Sequence, residues 1–293
     1  MKLVCLGLGY SAGAFARRMA ARGSAISGTS RTVAGAARIA AHGWRGLTFD
    51  GTAPSADLRD DLRDATHLLV SIPAGPGGDP ALLLHAEDIA AAPRLRWIGY
   101  LSTIGVYGDA AGGWVDETTP PEPSLARTRH RVTAEQGWLD LGRRAGKPTQ
   151  VFRLSGIYGP GRNAIESLRA GTARRLVKPG YVSNRIHVDD IATALEAAID
   201  GSRSYDLYNV TDDEPAPPQD VIAWAAHLLG VPVPPDVPFD SADLTPMAAS
   251  FYATCKRVRN DRMKRDLGVR LAYPTYREGL AALLPAPCNY DGA

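Results

Sequence analysis

Residues 2–31 read KLVCLGLGYSAGAFARRMAARGSAISGTSR. The apolar run Lys2–Leu6 predicts a buried strand, and the run Ala25–Gly28 predicts a second. Between them AGAFARRMAARG has the spacing of an amphipathic helix, with Gly23 placed to end it in the left-handed conformation. Gly7, Gly9 and Ala12 spell G-x-G-x-x-A in the turn that joins the first strand to the helix. The first glycine permits the tight turn, and the second lets a backbone approach a pyrophosphate. The small residue at Ala12 lets helix and strand pack closely. Tyr10, Ser11 and Ala12 open the helix, whose free N–H groups and partial positive charge favour a diphosphate. The expectation is a dinucleotide-binding βαβ unit.

The end of the second strand selects the dinucleotide. An NAD site usually carries an acid there for the ribose 2′-OH. This chain has Gly28-Thr29-Ser30-Arg31, one guanidinium and two hydroxyls. That set suits a 2′-phosphate, so NADP(H) is the expected cofactor. Asp50, after the run Gly46–Phe49, is placed either to meet the adenine amine or to serve as a turn residue. Ser71, Pro73 and Ser102, at the ends of the runs His67–Ile72 and Trp97–Leu101, complete the expected cofactor contacts.

Working outward, short continuous apolar runs alternate with helical patterns as far as Gln150–Leu154, as in a doubly wound parallel sheet. Helices are expected over Val33–Ala41, Leu82–Ala91, roughly 127–145, Gln219–Leu229 and Arg257–Leu267, with a long loop at 109–124. The fold class is α/β, a Rossmann-type sheet with a small, irregular C-terminal substrate domain. Residues 1–160 form the sheet domain, with 185–212 returning to it, and 161–184 and 213–293 form the cap. Apolar Val132, Trp138, Leu139 and Leu141 suit either the chain's own core or a homodimer interface.

Composition removes other classes. The 33 basic and 31 acidic residues leave a formal charge of +2, too little for a nucleic-acid or anionic-membrane surface. Cys5, Cys255 and Cys288 have neither disulfide nor metal-ligand spacing, so no metal is expected. No run reaches the roughly twenty apolar residues of a membrane span, and no leader pattern opens the chain. A cytoplasmic protein acting on a small-molecule substrate is the expectation.

The motifs GLGYSAG (7–13), TSR (29–31), STIGVYGD (102–109), WVDETTPPEP (114–123), RLSGIYGPGRN (153–163), RIHVDDIA (185–192), CKRVRNDRMKRDLG (255–268) and YPTYREGL (273–280) occur in that order. In them the chain resembles the extended and atypical short-chain dehydrogenase/reductase superfamily, in its epimerase/dehydratase-like branch. The resemblance implies catalysis by a Ser or Thr after the fifth strand and a Tyr-x-x-x-Lys pair on the next helix. Thr103 matches the first, four residues before Tyr107. With Ala134-Glu135 as anchor, the Tyr position falls on Arg127 and the Lys position on Arg131.

Arg131 keeps a cation for the nicotinamide ribose. Arg127 cannot serve as a proton donor at workable pH, which leaves it a substrate-side role. Proton transfer then falls to Thr103, Tyr107, Tyr158, His187 or a water, with His187 rather a packed residue behind the site. Arg162 and Arg185 occupy positions that in relatives often face the substrate, and the two suit a carboxylate or phosphate; solvation beside acidic partners is the alternative, and Tyr158 is a further substrate-site candidate. Tyr252-Ala-Thr-Cys-Lys256 also spells Y-x-x-x-K but lies far beyond the catalytic helix, and is read as coincidence. Ile104-Gly105 stands where dehydratases carry Asp-Glu, which disfavours nucleotide-sugar dehydration. Asp190 is expected to be structural. The implied function is an NADP(H)-dependent oxidoreductase acting on a carbonyl or alcohol of a small polar substrate. The alternatives are an epimerase-like enzyme that retains its cofactor and a sensor that binds NADP(H) without turnover.

Overall fold

The computed structural model describes residues 1–201 and 205–284. Cys288 lies outside the described residues.

In chain order the strands are β1 (Lys2–Leu6), β2 (Ala25–Ser30), β3 (Arg45–Thr48), β4 (His67–Val70), β5 (Trp97–Thr103), β6 (Trp114–Val115), β7 (Thr149–Leu154), β8 (Gly156–Tyr158), β9 (Arg175–Val177), β10 (Arg185–His187), β11 (Leu207–Val210), β12 (Asp236–Pro238) and β13 (Arg257–Val258). Seven of them form one parallel sheet in the order β11-β7-β5-β4-β1-β2-β3. The order reverses between β1 and β4, which opens a crevice at their C-terminal ends.

Alternation along β1 shows why the sheet needs helices on both faces. Helix α2 (Val33–Ala40) links β2 to β3, while Leu3 and Cys5 join the core under α1 (Tyr10–Ala21) and α7 (Val188–Asp200). Val4 and Leu6 join the opposite core under α3 (Ala56–Asp64), α4 (Pro80–Ala91) and α5 (Ala126–Ala145). Trp138 and Leu141 of α5 are buried in that second core, so they pack within the chain. Trp138 Nε1 also donates to Asp79 Oδ2 at 3.0 Å, and Asp79 caps α4 through the Ala81 and Leu82 amides.

α3 carries no strong apolar stripe, because ADLRDDLRD buries only Leu58, Leu62 and Asp61. The Ser55 cap starts it, and Asp61 is held by Lys2 at 2.8 Å and Arg45 at 3.3 Å.

Beyond β7 the chain is interleaved. α7 packs on α1, and β11 extends the sheet beside β7. A separate core gathers Tyr158, Ile165, Val221, Ala225, Tyr276 and Leu280 under α6 (Ala164–Arg169), α8 (Pro218–Leu229) and α11 (Tyr276–Ala281). Residues 257–267 do not form the single helix expected. Arg257–Val258 pairs in parallel with Trp114–Val115, and α10 (Asp261–Leu267) begins only afterwards. Met263, Leu267 and Val269 then insert into the core of the sheet, so this part of the expected cap seals the sheet domain instead. Asp190 secures that return by accepting from the Ala272 and Tyr273 amides at 2.7 and 3.0 Å. Among the described residues no helix is long and apolar enough to cross a membrane.

Candidate cofactor and substrate site

Gly7 follows β1 with φ +83, and its N–H donates to Thr29 Oγ1 at 2.8 Å. A Cβ there would meet Ile72 Cγ1 at 3.1 Å in a backbone region that side chains avoid. Gly9 differs: it opens α1 without a side-chain cap, and a Cβ on it would meet nothing within 4 Å. That empty cradle at an uncapped helix N-terminus fits a diphosphate. Ser11 and Ala12 are buried where helix meets sheet. Tyr10 reaches out of the turn, its hydroxyl donating to Pro160 O at 3.0 Å and Arg162 lying 5.9 Å over its ring.

A cavity of about 240 Å³ runs from this turn along the ends of β1, β2 and β4. Thr29, Ser30, Arg31, Asp50, Ser71 and Pro73 all line it. Arg31 is exposed, with no hydrogen-bond or ion-pair partner among the described residues. Asp50 Oδ1 accepts from the Thr52 amide and hydroxyl at 2.9 and 2.8 Å, which holds its carboxyl below the usual range. It is therefore an ionised acceptor at one end of the cavity.

Pro73 also lines a second, larger cavity of about 670 Å³, so the two adjoin at this residue. The second brings together Thr103, Arg127, Arg131, Tyr158, Arg162 and Arg185. Thr103 ends β5, and its Oγ1 accepts from the Gly105 amide at 3.1 Å, which leaves the hydroxyl proton for another partner. Arg131 is pinned to the same strand end: Nη1 donates to Tyr100 OH and Leu101 O, both at 3.0 Å. Burial pushes the Tyr100 phenol up to about 12, so it stays neutral beside that cation. Arg127 lies 5.3 Å over the Phe251 ring at the chamber mouth. Tyr158 OH donates to Thr275 O at 3.3 Å, and burial raises its pKa, which makes it a poor proton donor. Arg185 donates to Ser183 O, Ser183 Oγ and Ala216 O at 3.0, 2.8 and 3.2 Å.

Two expected residues lie elsewhere. Ser102 points into the body of the protein, where its Oγ donates to Glu135 Oε1 at 2.5 Å beneath a buried Glu135–Arg153 pair. Alternation along β5 turns Ser102 away from the side that Thr103 faces. Tyr107 is 3% exposed, its hydroxyl spent on Asn209, and lines neither cavity. His187 is likewise packed, between Tyr158 and Tyr273 at ring distances of 5.1 and 4.1 Å.

No protein-family model matches the chain. It is 31% identical over 245 residues to Protein YeeZ of Escherichia coli (strain K12), covering 80% of this chain and 85% of that protein. It is 31% identical over 182 residues to a 3-diazoavenalumate denitrifying reductase of Streptomyces sp, covering 57% and 58% of the two chains. A functionally unknown conserved protein from Silicibacter pomeroyi superposes with TM-score 0.86 at 52% identity, covering 96% of this chain and 97% of its own. A putative NAD-dependent epimerase/dehydratase from Methylobacillus flagellatus superposes with TM-score 0.70 at 26% identity, over 96% and 97%. The chain belongs to the extended short-chain dehydrogenase/reductase superfamily.

In this superfamily member the structure adds residues that the sequence reading set aside. Tyr252 and Lys256 both line the larger cavity. They do not share a helix: α9 (Pro246–Phe251) ends before Tyr252, and Lys256 leads into β13. Their four-residue spacing was therefore uninformative. The usable signal was the order of the 255–268 motif, which carries Lys256 back to the sheet's C-terminal edge. Tyr181 and Asn184, between β9 and β10, complete that wall.

Proposed function

We propose that this protein is an NADP(H)-dependent oxidoreductase that moves a hydride to or from a carbonyl or alcohol carbon of a small polar substrate. The observation that carries the reading is the adjacency of two cavities at Pro73, with Arg31, unpartnered among the described residues, lining one and both Thr103 and Arg131 lining the other. The superfamily's nicotinamide chemistry and the similarity to a reductase support the reaction class.

The residues present fit NADP(H). Gly7 and Gly9 with the N-terminus of α1 would hold the diphosphate, Arg31 with Ser30 the 2′-phosphate, and Arg131 the nicotinamide ribose. When bound, the cofactor supplies or accepts the hydride. Arg127 and Arg131 stand where the superfamily has its Tyr and Lys, so no phenol is available at the usual place. Thr103 then orients the substrate oxygen through its free hydroxyl proton and passes it a proton from water, with the Arg131 charge stabilising the developing oxyanion.

NADPH oxidation followed with a panel of ketones and aldehydes tests the proposal. The expected result is turnover with NADPH well above that with NADH. Tight NADPH binding with no turnover across the panel would overturn the enzymatic reading, and equal use of both cofactors would overturn the specificity.

A further inference from the structure

Lys256 is 5% exposed and lines the larger cavity, yet it has no ion-pair partner among the described residues. Its Nζ donates to Thr254 Oγ1 at 3.0 Å, and no carboxylate among the described residues comes within salt-bridge distance. An ammonium has three donors, so most of its hydrogen-bonding capacity is unused. Asp109, whose charge acts on it, is engaged by the Cys255 and Ala111 amides instead. A buried cation without a counter-ion is costly, and proteins keep one where a ligand supplies the missing charge.

The backbone around it is fixed from both sides. Cys255 O accepts from the Ala110 and Gly112 amides, both at 3.0 Å, and Arg257 N donates to Gly113 O at 2.8 Å. Asn184 Nδ2 donates to Lys256 O at 3.0 Å, while Asn184 Oδ1 accepts from Val258 N at 2.9 Å. Asn184 thereby joins the Lys256 segment to the neighbouring residue Arg185. Arg185 is a half-buried cation of this wall, with only neutral oxygens as direct partners among the described residues. Asp212 lies near it, but burial favours the neutral acid there and its carboxyl forms no ion pair. Neither Asp nor Glu lines the chamber.

We propose that Lys256 is a preorganised cationic clamp for an oxyanion group, a carboxylate or a phosphate, on the substrate, in a chamber wall that also carries Arg185. The clamp rests on reading this chamber as the substrate site, and it makes that substrate an anion. The Lys256 ammonium would offer its unused donors to such a group, inside the same chamber that Thr103 lines.

The test is calorimetric titration of the full-length protein, with and without NADPH, using oxalate and inorganic phosphate as probes. The expected result is one-to-one binding of at least one probe, weakened tenfold or more in Lys256→Met and partly restored in Lys256→Arg. Preference for oxalate over phosphate, or the reverse, identifies the group. Lys256→Met is also expected to melt higher than the wild type, since it removes an uncompensated buried charge, while NADPH affinity stays the same. A purely structural lysine would not combine higher stability with weaker anion binding. Undiminished probe binding in Lys256→Met overturns the clamp, as does a wild type that binds NADPH but neither probe. A wild type that binds a probe through Lys256 but not NADPH supports the clamp and overturns the cofactor reading alone.

Discussion

Tyr107 gives its hydroxyl proton to Asn209 Oδ1 at 2.8 Å, with the Arg153 guanidinium 4.7 Å from its ring. Asn209 is fully buried in β11, so the bond stitches the short helical turn after β5 to the edge of the sheet. Tyr107→Phe should cost about 1–3 kcal/mol, because a buried amide oxygen loses its donor. Urea unfolding measures the loss, and turnover per folded enzyme should stay near the wild-type value. A large fall in kcat with an intact fold would return Tyr107 to the chemistry.

Glu135 and Arg153 form a buried ion pair at 2.7 Å, with side chains 7% and 4% exposed, and Ser102 donates to the same carboxylate. Breaking one side of such a pair strands a charge. Glu135→Gln should therefore destabilise by about 3–5 kcal/mol, while Ser102→Ala should cost about 1 kcal/mol. Comparable losses for the two variants in chemical denaturation would contradict this ranking.

The strands and the phosphate turn were legible because continuous apolar runs and G-x-G-x-x-A report local constraints that every residue of β1 and α1 obeys. Arg31, Thr103 and the chamber arginines were legible through motif order. What sequence could not give was the direction of neighbouring side chains. Ser102 and Thr103 differ by one position on β5, and that alone sends one to Glu135 and the other to the cavity. Lys256 was illegible for a different reason. Its place depends on β13 pairing with β6, whose partners are 143 positions apart, a long-range contact with no local signal. α3 escaped notice because its buried face includes an aspartate whose partners, Lys2 and Arg45, sit on other strands.

Thr103 is the side chain that combines chamber exposure with an uncommitted hydroxyl proton at the end of β5. Thr103→Ala should lower kcat by about two orders of magnitude or more, the typical range for a positioned proton-transfer group. NADPH affinity should not move, because Thr103 lines only the larger cavity. Fluorescence titration of NADPH beside steady-state turnover separates the two quantities, and an unchanged kcat would remove Thr103 from the mechanism.

Asp212 is 2% exposed, and burial raises its carboxyl from the ordinary 3.8 to about 8 despite the nearby Arg185. Between those values the unfolded chain has lost the proton that the folded chain keeps. Stability from this group is therefore fully present below about pH 4 and declines as pH rises toward 8, at up to about 1.4 kcal/mol per unit. Asp212→Asn keeps an acceptor for the Glu214 amide and removes the titration. Melting curves from pH 5 to 8 should show the variant gaining on the wild type by a few kcal/mol at the alkaline end. Parallel curves would mean that Asp212 is already ionised in the folded protein.

The proposed preference for NADP(H) rests on Arg31, and that role can be read apart from catalysis. It lines the cavity at the end of β2 with no ion-pair partner among the described residues, so its charge and its paired donors are available to a 2′-phosphate. A bidentate, charge-assisted contact of this kind contributes about 1.5–3 kcal/mol, and exposure to solvent moves it toward the lower end. Arg31→Ala should therefore raise the Kd for NADPH about tenfold and leave that for NADH unchanged. Arg31→Asp should go further and favour NADH, because the carboxylate repels the 2′-phosphate and accepts from the ribose 2′-OH. Since each effect is a ratio of two affinities in one variant, general damage to the βαβ unit would move both cofactors together and is distinguished at once. Equal Kd values for the two cofactors in the wild-type protein would remove Arg31 from the specificity and leave the Gly7–Gly9 turn as a site indifferent to the 2′ position.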